Sequence, residues 1–199
     1  MIKSKSKKLI RLIDVGAGAN ATRARKIAQR RTLLKKPGTI VALDLNKFIK
    51  NVNPSNLRLV QKDAVRYLSK LPKGSVGMIN FDLSLLTPHA EREYLKSGYI
   101  PQSDRHVVVS KEFCDAVKRA LPWNGRMFIN TSRYVYSDLV KELEKNGFRV
   151  NVYPLEKVYK NIQSKPLSFE ELSIMLGENK FVSHSVQISV RKPIDKKSL

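Results

Sequence analysis

Near the start of the sequence, Asp14 stands two residues ahead of the run Gly16-Ala17-Gly18-Ala19-Asn20-Ala21. The run fits G-x-G-x-x-G/A, in which glycines let the backbone close tightly around a ligand at the N-terminus of a helix. A diphosphate seated there would be repelled by the Asp14 carboxylate, whereas a cationic amino-acid headgroup or a sulfonium would be attracted to it. Asp44 follows the apolar run Thr39 to Leu43, and Asp63 and Asn80 lie beside two further apolar runs. A carboxylate at Asp44 can accept from both hydroxyls of a ribose, which suits any adenosine cofactor. S-adenosylmethionine offers the adenosine together with the positive charge that Asp14 asks for. A nicotinamide dinucleotide offers only the adenosine, and that alternative predicts tighter binding of NAD than of the sulfonium cofactor.

Regular elements must bring these residues together. Leu9 to Val15 reads as a short buried strand running straight into the glycine turn. Asn20 is placed to cap a helix through Arg31, with Ala21, Ala24, Ile27 and Ala28 facing inward and Arg23, Arg25, Lys26 and Arg30 facing solvent. Further strands are expected at Thr39 to Leu45, Leu57 to Gln61, Val76 to Leu83, Gly125 to Asn130, Phe148 to Tyr153 and Phe181 to Val190. Asp63, Ser110 and Ser137 are candidate caps for helices reaching Leu71, Leu121 and Asn146, and Gly147 ends the last of these. Ser168-Phe169-Glu170-Glu171 has capping-box spacing for one more short helix. Residues 84–106 show no period and read as a long loop, a form that is usually functional. Strands alternating with helices imply a doubly wound α/β fold, as one domain over residues 9–192 between a basic tail (1–8) and a polar tail (193–199). In such a sheet the ligand lies beyond the carboxyl ends of the strands, where Gly16, Asp44, Asp63 and Asn80 are expected to converge.

Charge narrows the partner. The 199 residues hold 38 Lys and Arg against 17 Asp and Glu, a formal charge of +21, and residues 1–36 alone carry twelve cations against Asp14. Neutralising phosphates with release of counterions needs such a surface, so a nucleic acid is the expected partner; solubility alone is the bland alternative. The longest apolar run, Val76 to Leu86, is interrupted by Asn80 and Asp82 and falls short of the ~20 residues of a membrane span. No apolar signal region follows the basic start. The single cysteine, Cys114, excludes an internal disulfide or a cysteine zinc cluster and reads as a core residue of a reducing compartment. A cytoplasmic protein without a metal is expected, as a monomer or a homodimer.

Asp14-Val15-Gly16-Ala17-Gly18, then Asp44, then Asp63-Ala64 resembles the successive cofactor motifs of class I S-adenosylmethionine-dependent methyltransferases, over residues 9–83. The resemblance implies a Rossmann-like methyltransferase fold: a mostly parallel seven-stranded sheet with helices on both faces and the last strand antiparallel. It also implies that Asp14, Gly16, Ala17 and Gly18 line the methionine end, Asp44 with Leu45 the ribose, and Asp63 with Ala64 the adenine, with Asn80 closing the site. Ile79-Asn80-Phe81-Asp82, Ser110 to Phe113 with Leu121 to Gly125, and Ser168 to Gly177 resemble the tRNA guanine-N7 methyltransferase family. That second resemblance implies an RNA substrate, Asp82 beside the methyl-transfer site and Glu170 on the base. Arg23, Arg30, His89, Arg92 and Arg105 are the candidate RNA contacts.

The sequence departs from that family where Asp82-Leu83-Ser84 stands in place of Asp-Pro-Trp, and Thr131-Ser132 in place of Thr-Asp. Methyl transfer to a ring nitrogen needs little acid-base help, since the lone pair is free and the sulfonium already activated; positioning supplies most of the rate. Asp82 can grip a guanine edge by accepting from its amino and imino groups. Tyr94, Tyr99, Tyr134 and Tyr136 can stack on a flipped base or simply pack. A noncatalytic RNA-binding protein on the same fold is the alternative from another class.

Overall fold

The computed structural model describes residues 10–50, 52–82, 110–123, 125–132, 136–154 and 185–191. Seven strands, β1 (Ile10–Val15), β2 (Thr39–Asp44), β3 (Leu57–Gln61), β4 (Met78–Asp82), β5 (Arg126–Ser132), β6 (Arg149–Pro154) and β7 (Ser185–Arg191), form one sheet in the order β3-β2-β1-β4-β5-β7-β6. All pairs from β3 to β5 are parallel, and β7 runs antiparallel between β5 and β6. The expected doubly wound sheet with an antiparallel last strand is present. Strand order reverses between β1 and β4, which puts the crevice of an open α/β sheet at their carboxyl ends.

Alternation along the strands sends side chains to two different cores. Leu12, Ile40, Ala42, Met78 and Phe128 meet Ala21 and, from helix α1 (Thr22–Leu33), Ala24, Ile27 and Ala28 on one face. Ile13, Val15, Val41, Leu43, Ile79, Phe81, Met127 and Ile129 form the other core with residues of α2 (Ala64–Leu68), α3 (Lys111–Ala120) and α4 (Tyr136–Lys145). The faces are unequal. Among the described residues one helix covers the first, and the β2–β3 connection contains no helix.

Caps define where the helices start. Asp63 accepts the Arg66 amide at 2.9 Å and Ser110 accepts the Phe113 amide at 3.1 Å, both as expected. Asn20 does not cap α1. The helix begins at Thr22 after Ala21, whose φ of 47° is left-handed and whose amide bonds the Gly18 carbonyl at 3.0 Å, because the glycine turn needs one more residue to close. Ser137 likewise lies inside α4, which starts at Tyr136. Gly147 ends α4 as expected, with φ 76° and with the Phe148 amide bonding the Leu143 carbonyl at 3.1 Å. Before β5, Gly125 has no room for a side chain: a Cβ there would lie 2.8 Å from that of Leu121. The expected helix after Ser168 and both tails lie outside the described residues.

Candidate cofactor site

β1 delivers Asp14 to the switch point with only 1% of its surface exposed. Its register partner on β4 is Asn80, fully buried, whose Nδ2 donates to Asp14 Oδ1 at 2.6 Å. Arg23, from the first turn of α1, donates through Nη1 to the same oxygen at 3.5 Å. Arg23 therefore turns inward, with 16% of its side chain exposed, rather than facing solvent as its helix position suggested. A buried carboxylate draws it, since an uncompensated charge there would be costly. Asn80 Oδ1, also buried, has no hydrogen-bond partner among the described residues. Asn80 sits in the middle of β4, two residues before the strand end where the sequence had placed it.

The glycine turn is held by the neighbouring strand. The Gly16 amide bonds the Leu43 carbonyl at 2.9 Å, and the Gly18 amide bonds Asp44 Oδ2 at 2.8 Å. Gly18 has φ +69°, a conformation costly for other residues, and among the described residues no heavy atom apart from its chain neighbours lies within 4 Å of where a Cβ would stand, so open space adjoins the turn there. Asp44 Oδ1 accepts the Asn46 amide at 2.8 Å. Both carboxylate oxygens are thus aimed by backbone donors, and each retains lone-pair capacity for a ribose hydroxyl. Leu45 is 66% exposed beside it, its carbonyl bonded by Gln61 Nε2 at 3.1 Å.

A latch that the sequence did not suggest fixes the chain after Asp44. Arg25 donates from Nε to the Asn20 carbonyl at 2.7 Å, from Nη2 to the Ile49 carbonyl at 3.3 Å, and from Nη1 to the Val52 carbonyl at 3.3 Å and to Asn53 Oδ1. The Ile49 amide adds a bond to the Ala19 carbonyl at 2.9 Å. One guanidinium fork so ties the β2–β3 loop to the glycine turn.

The structure brings together Asp14, Gly16, Ala17, Gly18, Asp44, Leu45, Asn80 and Arg23. Asp63 and buried Ala64 follow β3, and the Lys62 amide bonds the Asp44 carbonyl at 2.9 Å, which keeps them beside it. Asp82 ends β4 in register with Asn130 of β5. Arg30 is on the outer, exposed side of α1, away from this cluster. His89, Arg92, Arg105 and Glu170 lie outside the described residues.

No protein-family model matches the sequence, and no curated protein matches it. Solved structures do. The chain matches the fibrillarin/Nop5p complex at TM-score 0.52 and 13% identity over 94% of this chain and 74% of that one. It matches geranyl diphosphate C-methyltransferase from Streptomyces coelicolor A3(2), solved with Mg2+, geranyl diphosphate and S-adenosyl-L-homocysteine, at TM-score 0.51 and 11% identity over 95% and 74%. A SAM-dependent methyltransferase from Archaeoglobus fulgidus is similar at TM-score 0.49 and 18% identity over 94% and 87%. The chain has the Rossmann-like methyltransferase fold. At these identities the likeness is one of fold, and none of the three is named for guanine-N7 chemistry. Within the methyltransferase fold, the Asp14–Asn80 pair spans the switch between β1 and β4, and Asp44 ends β2 on the other side of β1.

Proposed function

We propose that this protein is an S-adenosylmethionine-dependent methyltransferase acting on RNA, with a tRNA base of the guanine-N7 type as acceptor. The observation that carries the reading is the pairing of Asp14 with Arg23 beside the open glycine turn. A carboxylate and a guanidinium side by side match both charges of an α-amino-acid headgroup, ammonium to Asp14 and carboxylate to Arg23. A diphosphate could satisfy Arg23 alone and would be repelled by Asp14. Asn80 holds Asp14 in place through Nδ2 and offers buried Oδ1 as an unused acceptor for a further N–H. Asp44 with Leu45 takes the ribose, and Asp63 and Ala64 bound the adenine. When bound, the cofactor supplies an activated methyl group.

The chain's own contribution is placement, with Asp82 at the end of β4 to grip the acceptor base. The RNA reading is supported by the +21 charge and by the guanine-N7-like segments of the sequence. Calorimetry should detect S-adenosylmethionine and S-adenosylhomocysteine and give weaker binding of NAD; no binding of either sulfur ligand at millimolar concentration rejects the enzyme and leaves the noncatalytic RNA-binding reading. That reading is favoured by Asp82-Leu83-Ser84 standing where the guanine-N7 family has Asp-Pro-Trp. Incubation with labelled cofactor should then put label into bulk RNA. Label found only in protein or DNA rejects the substrate.

A further inference from the structure

Six cations gather at the β3 end of the sheet: Lys47 and Lys50 on the β2–β3 loop, Arg58 on β3 with Lys62 just after it, and Arg66 and Lys70 on and just beyond α2. All six are exposed, and among the described residues none has an ion-pair partner. Among the described strands β3 is the outer one, bonded to β2, so Arg58 stands on the rim of the sheet. Burial raises the Tyr67 phenol above its ordinary value while Arg58 pulls the other way, which places the Arg58 guanidinium near α2 and joins the strand and helix cations into one patch. Lys47 and Lys50 lie on the loop that the Arg25 latch ties to the glycine turn, toward the face that α1 covers, so the patch itself is Arg58, Lys62, Arg66 and Lys70.

Charges on an edge strand discourage pairing with other chains, but that role covers Arg58 alone, not the loop or the helix. An interfacial membrane helix is excluded by shape, α2 being five residues long. What remains is a ledge of unneutralised positive charge along β3 and α2, adjoining Asp63. We propose that this ledge holds the phosphate backbone of an RNA, next to the cofactor residues. The RNA identity rests on the proposed function; the location of the surface does not depend on cofactor binding.

Two variants with the same loss of charge test it. One is the triple replacement Lys62→Gln, Arg66→Gln, Lys70→Gln; the other is Lys111→Gln, Arg119→Gln, Lys141→Gln on the exposed surface of α3 and α4. Anisotropy with a fluorescein-labelled RNA hairpin, titrated at several salt concentrations, should show the first binding about tenfold or more weaker, with a log–log salt slope shallower by roughly 2 to 3. The second should stay near wild type. Calorimetric affinity for S-adenosylhomocysteine should be the same in all three proteins, so a cofactor failure would be seen separately. Equal weakening by both triples would show that only net charge matters and would overturn the ledge, as would no weakening by the first. Tighter wild-type binding of duplex DNA or of phosphatidylserine vesicles than of the hairpin would overturn RNA as its partner.

Discussion

Around β1, β2 and β3 the chain spends its polar groups on the ligand side: a buried carboxylate with two partners, a glycine turn hung from Asp44, and a loop latched by Arg25. Residues 10–82 carry fifteen Lys and Arg against four Asp. Around β5 and β6 the pattern is different. Residues 111–154 carry eight against five, and two of their cations find local partners: Lys118 with Asp115 at 4.0 Å and over the Phe148 ring at 5.3 Å, Lys145 with Glu142 at 3.8 Å. Such exposed pairs add little stability, but they quench charge. Beneath them lie Phe113, Cys114, Val117 and Leu143, all fully buried. On the proposed function, one end of the sheet binds and the other packs, so substitutions at the two ends should fail in different assays.

The largest effect expected is at the packing end. Phe113 is fully buried and meets Phe81 edge-on, centroids 5.2 Å apart at 85°. Phe113→Ala should cost about 3–5 kcal/mol in urea unfolding while the folded fraction keeps its affinity for S-adenosylhomocysteine. A lost affinity at unchanged stability would break the division. Next comes Asp14→Asn, which removes the charge but keeps an oxygen for Asn80 Nδ2. It should weaken S-adenosylhomocysteine by ~1.5–3 kcal/mol, the size of a charged hydrogen bond. Unchanged affinity would refute the headgroup role.

A smaller effect is expected from the latch. Arg25→Ala should weaken cofactor binding by about 1 kcal/mol through a loosened β2–β3 loop. Arg25→Lys keeps the charge without the planar fork and should resemble alanine rather than wild type. Recovery by lysine would mean that charge near the turn, and not the latch, matters.

The parts of this site that were legible in the sequence are those made by neighbours along the chain. The glycine turn after Asp14, Asp63 and Ser110 as caps, and Gly147 as a stop each depend on a few consecutive residues. The partners of Asp14 were not legible, because Asn80 lies 66 residues away and reaches it only through the β1–β4 register. Arg23 looked like a solvent-facing arginine of an amphipathic helix; the later start of α1 and the pull of a buried charge turned it inward. No local signal marks Arg25, whose loop carbonyls are 24 and 27 residues distant. The absence of a described helix between β2 and β3 agrees with the lack of any helical period there, but what pins that segment was visible only in three dimensions.

Cys114 offers the finest test of the packing end. Burial pushes its thiol from the ordinary 9.0 up to about 11, with Lys118 opposing and Asp115 and Glu142 adding to the rise. A folded-state pKa above the unfolded one means that, between these two values, the native protein keeps a proton that the unfolded chain has released. Unfolding then gives up a proton, so stability must fall as pH rises through that window and is unaffected by this group below it. Every other group is shared with Cys114→Ala, so comparing the two proteins isolates the thiol. The difference in unfolding free energy between wild type and Cys114→Ala, followed from pH 8 upward, should therefore shrink with rising pH. A difference that stays flat would mean that the thiol is hydrated in the native state, and that the core under α3 is less closed than the packing of Phe113 and Val117 implies.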